Sequence, residues 1–407
     1  MASGPEGREQ QILAVNGGSS SIRFALYRIA DQPLRLLSGK LDRIDTPAMR
    51  LTFDDARPGR AGAQVEAGDT PATGFLLDWL AQQVDIGTLR AVGHRIVHGL
   101  QHSEPQPVGD ALLNDLRRTI GLDPDHLPLE IELIDAFRRR HPHLPQLACF
   151  DTAFHRDLPR VAQLLPIPRR YQAFGLRRYG FHGLSYGYLM QRLAQIDPAA
   201  ARGRVILAHL GNGASMAALR DGRSMDTSMG LTPAGGLVMG TRPGDLDPGV
   251  AGYLLHEGGL DARRFSDLVN HQSGLLGVSG SSADMRDLLA RERDDAHAAE
   301  AVALFCYQAR KTIGAYAAVL NGLDTLVFSG GIGENAAPVR ARICDGLQYL
   351  GLELDAARNG AAADLISGAA SRVAVRVIPT DEEWMIASTV CNILQRSEHG
   401  HPKGSAA

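Results

Sequence analysis

Short unbroken apolar runs, each closed by glycine, recur along this chain between longer stretches with apolar residues three or four apart. Gln11-Ile-Leu-Ala-Val-Asn-Gly-Gly-Ser-Ser-Ser-Ile-Arg-Phe-Ala-Leu26 predicts a buried strand, a Gly/Ser turn and a second strand. Arg204-Val-Ile-Leu-Ala-His-Leu-Gly-Asn-Gly-Ala-Ser-Met-Ala-Ala-Leu219 repeats the design. Aligning Ile12 with Ile206 also matches Leu13 with Leu207, Ala14 with Ala208, Gly17 with Gly211 and Ser21 with Ser215. A third strand, Leu326-Val-Phe-Ser, runs into Gly330-Gly-Ile-Gly-Glu-Asn335 and should open a helix there.

Between these landmarks the periodicity predicts helices near 74–83, 112–120 and 129–139, with a Pro-punctuated turn over Asp123 to Pro128. Strands are expected at Ala91 to His98 and at Gln146 to Phe150, the latter ending in Asp151. The polar, Gly- and Pro-containing text from Ala56 to Pro71 reads as a mobile loop or hairpin. A helix from about His297 to Leu320 carries Ala301, Leu304, Phe305, Gln308, Ile313, Tyr316 and Ala317 as a core stripe and stops at Asn321-Gly322. A strand at Arg372 to Ile378 precedes Pro379-Thr-Asp-Glu-Glu383 and a helix to about Leu394, with a disordered tail from Ser397.

At 407 residues the chain exceeds one ordinary core, so an α/β protein of two domains is expected. The repeated hairpins make those domains a duplicated nucleotide-binding fold that closes over ATP. The expected division is 1–152 plus 381–396 for one lobe and 153–380 for the other, with 397–407 as tail. A formal charge of −3 argues against nucleic acid, and no apolar run reaches the ~18 residues of a membrane span. The polar N-terminus lacks the apolar core of a signal peptide. Cys149, Cys306, Cys344 and Cys391 have no metal-type spacing and read as buried, reduced thiols of a cytoplasmic protein.

The candidate chemistry is phosphate chemistry. Gly17 and Gly18 permit close backbone approach, Ser19, Ser20 and Ser21 add hydroxyls, and Arg23 supplies a cation. That segment alone reads equally well as an ordinary Gly/Ser hairpin, and the second copy decides in favour of phosphate. It is not a Walker sequence, because no Gly-Lys-Ser/Thr follows the glycines. Arg95 in Gly93-His-Arg-Ile-Val-His-Gly99 and Arg242 in Met239-Gly-Thr-Arg-Pro-Gly-Asp-Leu-Asp-Pro248 are candidates for a clamp on a transferring phosphoryl group. His182 follows an aromatic-flanked turn, Arg177-Arg-Tyr-Gly-Phe-His-Gly183. Asp151 and either Glu382 or Glu383 are candidate magnesium carboxylates, the glutamates serving equally as helix-capping acids. Ser279-Gly-Ser-Ser-Ala-Asp-Met-Arg286 offers Asp284 and Arg286 to adenosine, and Ser282 is its expected N-cap.

Asn16-Gly-Gly-Ser-Ser-Ser21, Gly93 to Gly99, Arg178-Tyr-Gly-Phe-His-Gly183 and Asp226-Thr-Ser-Met-Gly-Leu-Thr-Pro233 continuing to Asp247-Pro248 occur in order, supported by Gly331-Ile-Gly-Glu-Asn335. Together they resemble the acetate kinase (acetokinase) family of the acetate and sugar kinase, Hsp70 and actin superfamily, from about Ile12 to Leu394. The resemblance implies two actin-like, ribonuclease H-like domains with a nucleotide cleft between them, and reversible transfer of the ATP γ-phosphoryl group to acetate. It implies Mg²⁺, with Mn²⁺ as an alternative, held by Asn16 and Glu382, which selects Glu382 over its neighbour. It places Arg23, Ser19, Ser21, His209, Leu210, Gly211, Asn212, Gly213, Asp284, Met285, Arg286, Gly331, Ile332, Gly333, Glu334 and Asn335 at ATP. Arg95 and Arg242 would hold the carboxylate and the phosphoryl group, His182 would stabilise the transition state, and Asp151 matches a residue described as an acid/base. Acetate is ionised at pH 7, so orienting an arginine or a magnesium-bound water is the more economical task for Asp151. Val97, Phe181 and Pro233 match residues around the acetate methyl. Small-molecule substrates and a homodimer are the partners the family implies.

The departures are specific. Arg23 stands where lysine is usual, Leu184 and Tyr186 replace a usual Thr and His, Pro243 replaces Ser or Cys, and Asp381 replaces Asn. Asp123-Pro-Asp-His-Leu-Pro128 replaces Ala-Pro-Leu-His-Asn-Pro, so Asp125 stands where a leucine would wall the methyl pocket. A buried carboxylate there is costly unless paired or protonated, so either Asp125 turns to a cation or the pocket is wetter, and the choice of acid opens to propionate or another short-chain acid. A sugar or polyol kinase of the superfamily is disfavoured because a neutral sugar needs no pair of arginines. An Hsp70- or actin-like switch would need a peptide-binding domain or a polymer surface, and the chain has no residues left over for the former.

Overall fold

The computed structural model describes residues 9–18, 20–44, 46–57, 62–66 and 70–399, the last three as backbone alone. The chain forms two compact units. One runs through Ala153 and resumes at Asp381; the other spans Phe154–Thr380.

The first unit holds β1 (Gln11–Gly17), β2 (Ser21–Arg28), β3 (Leu34–Asp42), β4 (Arg50–Asp55), β5 (Ala63–Glu66), β6 (Leu89–Ile96), β7 (Gln106–Pro107) and β8 (Gln146–Phe150). Their order in the sheet is β5-β4-β3-β2-β1-β6-β8-β7. β1 to β5 form an antiparallel meander, and β6 and β8 add on parallel to β1. Residues 12 to 17 of β1 are all buried, as expected of a central strand covered on both faces. The pairing of β4 with β5 gives the hairpin alternative for the 56–71 stretch, although 58–61 and 67–69 lie outside the described residues.

The second unit holds β9 (Arg204–Leu210), β10 (Ala214–Arg220), β11 (Arg223–Thr227), β12 (Thr325–Ser329) and β13 (Ala374–Val377), ordered β11-β10-β9-β12-β13. An antiparallel hairpin joined on one side by parallel strands is the plan of β3-β2-β1-β6-β8 as well, so the repeat in the sequence is a repeat in topology. The turns differ in detail. Gly18 N–H donates to the Ser21 carbonyl at 2.8 Å in the first, and Gly211 N–H to the Gly213 carbonyl at 3.0 Å in the second.

Helices then cover the sheets. Trp79 of the helix Ala72–Gln83, and Leu133 and Phe137 of the helix Leu127–Arg140, pack on Leu13, Phe24 and Leu26. The helix Ala296–Leu320 buries Ala301, Phe305, Ile313, Tyr316 and Ala317, and ends at Asn321 with φ 57°, the left-handed stop its Asn-Gly sequence predicts. The C-terminal helix Glu382–His399 outruns its expected end near Leu394, and so takes in the first residues of the expected disordered tail; 400–407 lie outside the described residues. It lies on β1 and β6 because Gly93 has no side chain. A Cβ there would stand 2.4 Å from Cγ2 of Ile386 and 2.8 Å from Cγ2 of Val390. All four cysteines are free and buried.

Gly93→Ala is therefore expected to lose about 1–3 kcal/mol in a denaturant titration, with Ile386→Ala restoring part of it. An alanine variant as stable as the parent would show that the helix does not depend on that contact.

Burial also holds two histidines neutral, His94 and His155, each pushed down to about 4 from 6.5. The unfolded chain binds those protons first, so their contribution to stability is whole above pH 6.5 and fades as pH falls from there towards 4. At pH 5 each should have lost about 2 kcal/mol. Buried carboxyls raised in the fold act in the opposite sense, so the histidine share is a difference between proteins. His155→Gln should lose less stability than the parent between pH 7.5 and 5.0, read from unfolding curves at the two pH values. Equal losses would remove His155 from the acid response.

Candidate active site

In the first unit three parallel strands end together, and each delivers one polar side chain: Asn16 from β1, Arg95 from β6 and Asp151 directly after β8. Arg95 donates from Nε at 3.1 Å and Nη2 at 2.7 Å to Oδ2 of Asp151. Its Nη1 reaches Oδ1 of Asn16 at 3.3 Å and the Gly17 carbonyl at 3.4 Å. Only 12% of the Arg95 side chain and 1% of that of Asp151 is exposed. Burial disfavours the guanidinium charge, but Asp151, Glu382 and Glu130 outweigh it and hold the group firmly protonated. Burial pushes the Asp151 carboxyl up against the pull of Arg95. Its second oxygen, Oδ1, is buried without a hydrogen-bond partner.

Asn16 links this pair to the C-terminal helix. Its Nδ2 donates to Oε2 of Glu382 and to Oε1 of Glu383, each at 2.9 Å. The Glu383 carboxyl is raised by burial and by the charge of Glu382 beside it. The sequence alone left these two acids as alternatives, and both reach the same amide. The amide oxygen faces Arg95, away from the glutamates. Glu382 and Glu383 thus crowd their carboxylates at one amide nitrogen. No cluster of three or more His, Cys, Asp or Glu suited to a metal exists among the described residues. Arg23, exposed on β2, acts on Glu383 through charge. Ser21 opens β2, and Ser19 lies outside the described residues.

Val97 is buried, and its N–H lies between both oxygens of Glu130 at 3.2 and 3.1 Å. Glu130 is 2% exposed, and burial holds its carboxyl well above the usual range. Sequence reasoning missed it, because a glutamate in a first helical turn looks like a capping acid. Asp125 is half-buried. The sealed acid of that turn is Asp123, whose Oδ1 meets the backbone N–H and Nδ1 of His126 at 3.3 and 2.8 Å. The helix Leu127–Arg140 starts two residues earlier than its periodicity implied, which turns the segment inward at Asp123.

In the second unit His182 caps the helix Gly183–Ile196 from a left-handed backbone, φ 58° and ψ 25°. Its Nδ1 is 2.8 Å from Oγ of Ser215, and its ring stacks on His209 with centroids 4.4 Å apart. Arg242 donates from Nη1 to the Pro233 carbonyl at 2.9 Å. Its loop is braced through Thr241 Oγ1 to the Asn270 carbonyl at 2.7 Å, and Gly274, at φ 63°, admits the backbone of Met239 and Arg242. Gly213 joins these parts. A Cβ there would stand 3.2 Å from Arg242 Nη2 and 3.4 Å from His182 Nε2, so both groups border the space its missing side chain leaves. Gly240 makes equivalent room for Oδ1 of Asn212.

The remaining positions spread around this centre. Phe181 is buried, with its carbonyl 3.2 Å from His155 Nε2. Leu210 and Met285 are sealed in the core. Asp284, not Ser282, caps the helix Met285–Arg291, accepting from the Arg286 N–H at 2.8 Å; Ser282 Oγ instead accepts from the Asp284 N–H at 3.0 Å. The dyad Asp284–Arg286 pairs at 2.5 Å with the arginine 89% exposed. Ser329 closes β12 and Gly330–Asn335 is a short helix, as the glycine turn predicts. Gly331, Ile332 and Asn335 lie on its more open side, and Gly333 is buried. Glu334 Oε1 accepts from the N–H of Gly330 at 2.9 Å and of Thr380 at 3.2 Å. Arg340, wholly buried and unnoticed in the sequence, donates to the carbonyls of Gly333 and Glu334 at 2.9 Å.

A family model described as the acetokinase family matches residues 11–388. The acetate kinase of Methylocella silvestris is 44% identical over 402 residues, covering 95% of this chain and 98% of that protein. The crystal structure of a propionate kinase from Francisella tularensis superposes with a TM-score of 0.87 at 36% identity, covering 93% of this chain and 98% of that one. That of Porphyromonas gingivalis acetate kinase gives 0.83 at 34% identity, covering 95% and 100%.

Proposed function

The chain belongs to the acetokinase family, and on that premise we propose that it transfers the γ-phosphoryl group of ATP reversibly to acetate, giving acetyl phosphate and ADP. The observation that carries the reading is the pair of side-chain nitrogens, His182 Nε2 and Arg242 Nη2, bordering the gap at Gly213. A transferring phosphoryl group spreads negative charge over three oxygens and needs donors and cations held in place beforehand.

The acceptor is a carboxylate, ionised at neutral pH, so no base is required. Arg95 neutralises it, and Asp151 fixes the guanidinium plane through two N–H bonds. One carboxylate oxygen forms the new bond to phosphorus in line with the departing bridging oxygen, and the electron pair of the broken bond leaves on ADP. Arg242 and His182 take up the charge on the equatorial oxygens. Asn16 and Glu382, as the family resemblance implies, would hold Mg²⁺, which neutralises nucleotide phosphate charge when bound. Asn16 aligns the two glutamates from the β1 end. The segments 209–213, 284–286 and 331–335 are assigned to ATP, together with Arg23, Ser19 and Ser21. The reading includes a homodimer and a cytoplasmic location; light scattering on the purified protein tests the first.

Trapping of acyl phosphate as hydroxamate is the direct test, run with acetate, propionate, butyrate and glycerol. Colour with acetate supports the reading; ATP consumed with glycerol and no hydroxamate from any acid would replace it with a polyol kinase.

Arg95→Ala and Arg242→Ala should each lower turnover by about 10²-fold or more with the fold intact, and added guanidine should restore part of it. His182→Ala should act mainly on turnover. Near-normal turnover in either folded arginine variant would discard the clamp.

Asp125 supports a second reading, in which propionate competes well with acetate, because a half-buried carboxylate is a poor apolar wall. One methylene is worth only about 1–3 kcal/mol of discrimination. Asp125→Leu is expected to lower KM for acetate and to sharpen the preference for it, with turnover little changed. Unchanged KM and preference would place Asp125 away from the acid.

A further inference from the structure

Tyr186 stands where the family resemblance leads one to expect histidine, one helical turn after His182. Its N–H donates to the His182 carbonyl at 2.9 Å, so the two side chains rise from adjacent turns of the helix Gly183–Ile196. The phenol is wholly buried among Phe154, His155, Leu189, Val205 and Leu207. Its hydroxyl lies 2.5 Å from Oγ of Ser215, and the same Oγ lies 2.8 Å from Nδ1 of His182. Three polar atoms on three side chains thus share one short line of hydrogen bonds, ending at the imidazole proposed to meet the phosphoryl group.

We infer that Tyr186 is a positioning residue which, through Ser215, fixes the tautomer of His182 with its proton on Nε2. A serine hydroxyl has one proton and two lone pairs, so it can accept from one neighbour and donate to the other. A phenol, with an ordinary pKa near 10, is a far stronger acid than an aliphatic alcohol, so across the short contact Tyr186 donates and Ser215 accepts. Ser215 then directs its own proton to Nδ1 of His182. That nitrogen must be unprotonated, and in a neutral imidazole the remaining proton sits on Nε2.

The consequence is chemical. Nε2 borders the gap at Gly213 together with Nη2 of Arg242. With the proton on Nε2 both atoms are donors, which suits phosphoryl oxygens. With the proton on Nδ1, Nε2 would present a lone pair to the same oxygens. The imidazolium form would need Ser215 to accept from Nδ1–H and to turn its own proton on the phenol. The ring also stacks on His209 of β9, whose Nδ1 meets Ser185 Oγ at 2.8 Å. Tyr186 therefore keeps Nε2 of His182 a donor towards the gap.

The inference rests on the proposed function only for what Nε2 donates to, and nitrogen NMR of the intact protein labelled with ¹⁵N-histidine reads the tautomer directly. His182 is assigned by the resonances missing from His182→Asn, a residue that tolerates the left-handed backbone. The parent should show the Nε2–H tautomer, and Tyr186→Phe a mixture of both. In acyl phosphate assays Tyr186→Phe should lose about 3- to 30-fold in kcat with KM for ATP and acetate nearly unchanged. A parent spectrum showing Nδ1–H overturns the inference with no variant needed, and so does Tyr186→Phe with an unchanged tautomer. Should Tyr186→Phe fail to fold, Ser215→Ala removes the same donor to Nδ1 and should produce the same mixture. Nε2–H in the parent without any acyl phosphate formed would retain the relay and discard the kinase reading.

Discussion

The first unit is organised around a buried guanidinium. Arg95 sits almost sealed from water, where an isolated charge would be prohibitively costly, and it survives because Asp151 takes two of its N–H groups and Asn16 and Gly17 take others. Glu382 and Glu130 add to its electrostatic support, and Glu382 shares the Asn16 amide with Glu383.

The backbone makes that crowding possible. Three parallel strands end at one level, which sets Asn16, Arg95 and Asp151 side by side, and Gly93 lets the C-terminal helix settle close enough to bring its first two glutamates to Asn16. The second unit repeats the sheet but uses the equivalent hairpin differently. There β9 and β10 carry His209 and Ser215, and these hold the imidazole of His182 from two sides. A topology used twice thus supports an acid-rich corner once and a donor-rich corner once, because the side chains at equivalent strand ends differ.

Much of the site was legible in the chain. Glycine turns after apolar runs located both hairpins and the 330–335 helix, since only glycine permits the close approaches found at Gly213, Gly240 and Gly330. Less was legible where the partner lies far away in sequence. Glu383 reads equally as a helix cap, and nothing local marks Glu130 or Arg340. Their roles come from neighbours 367, 33 and up to 19 residues away. The turn at 123–128 shows a related limit: a one-dimensional match fixes a position but not which of two nearby aspartates turns inward.

What the sequence determined by itself was the alternation of buried strands, glycine turns and amphipathic helices, the internal repeat, and the residue types available for phosphate chemistry. Those follow from periodicity and from the conformational freedom of glycine, which are local properties. The tertiary structure alone decided which acid meets which amide, that Asp284 rather than Ser282 caps its helix, and that Tyr186, Ser215 and His182 form one line. Hydrogen-bond direction depends on distances of tenths of an ångström between side chains on different elements, and no local pattern encodes them.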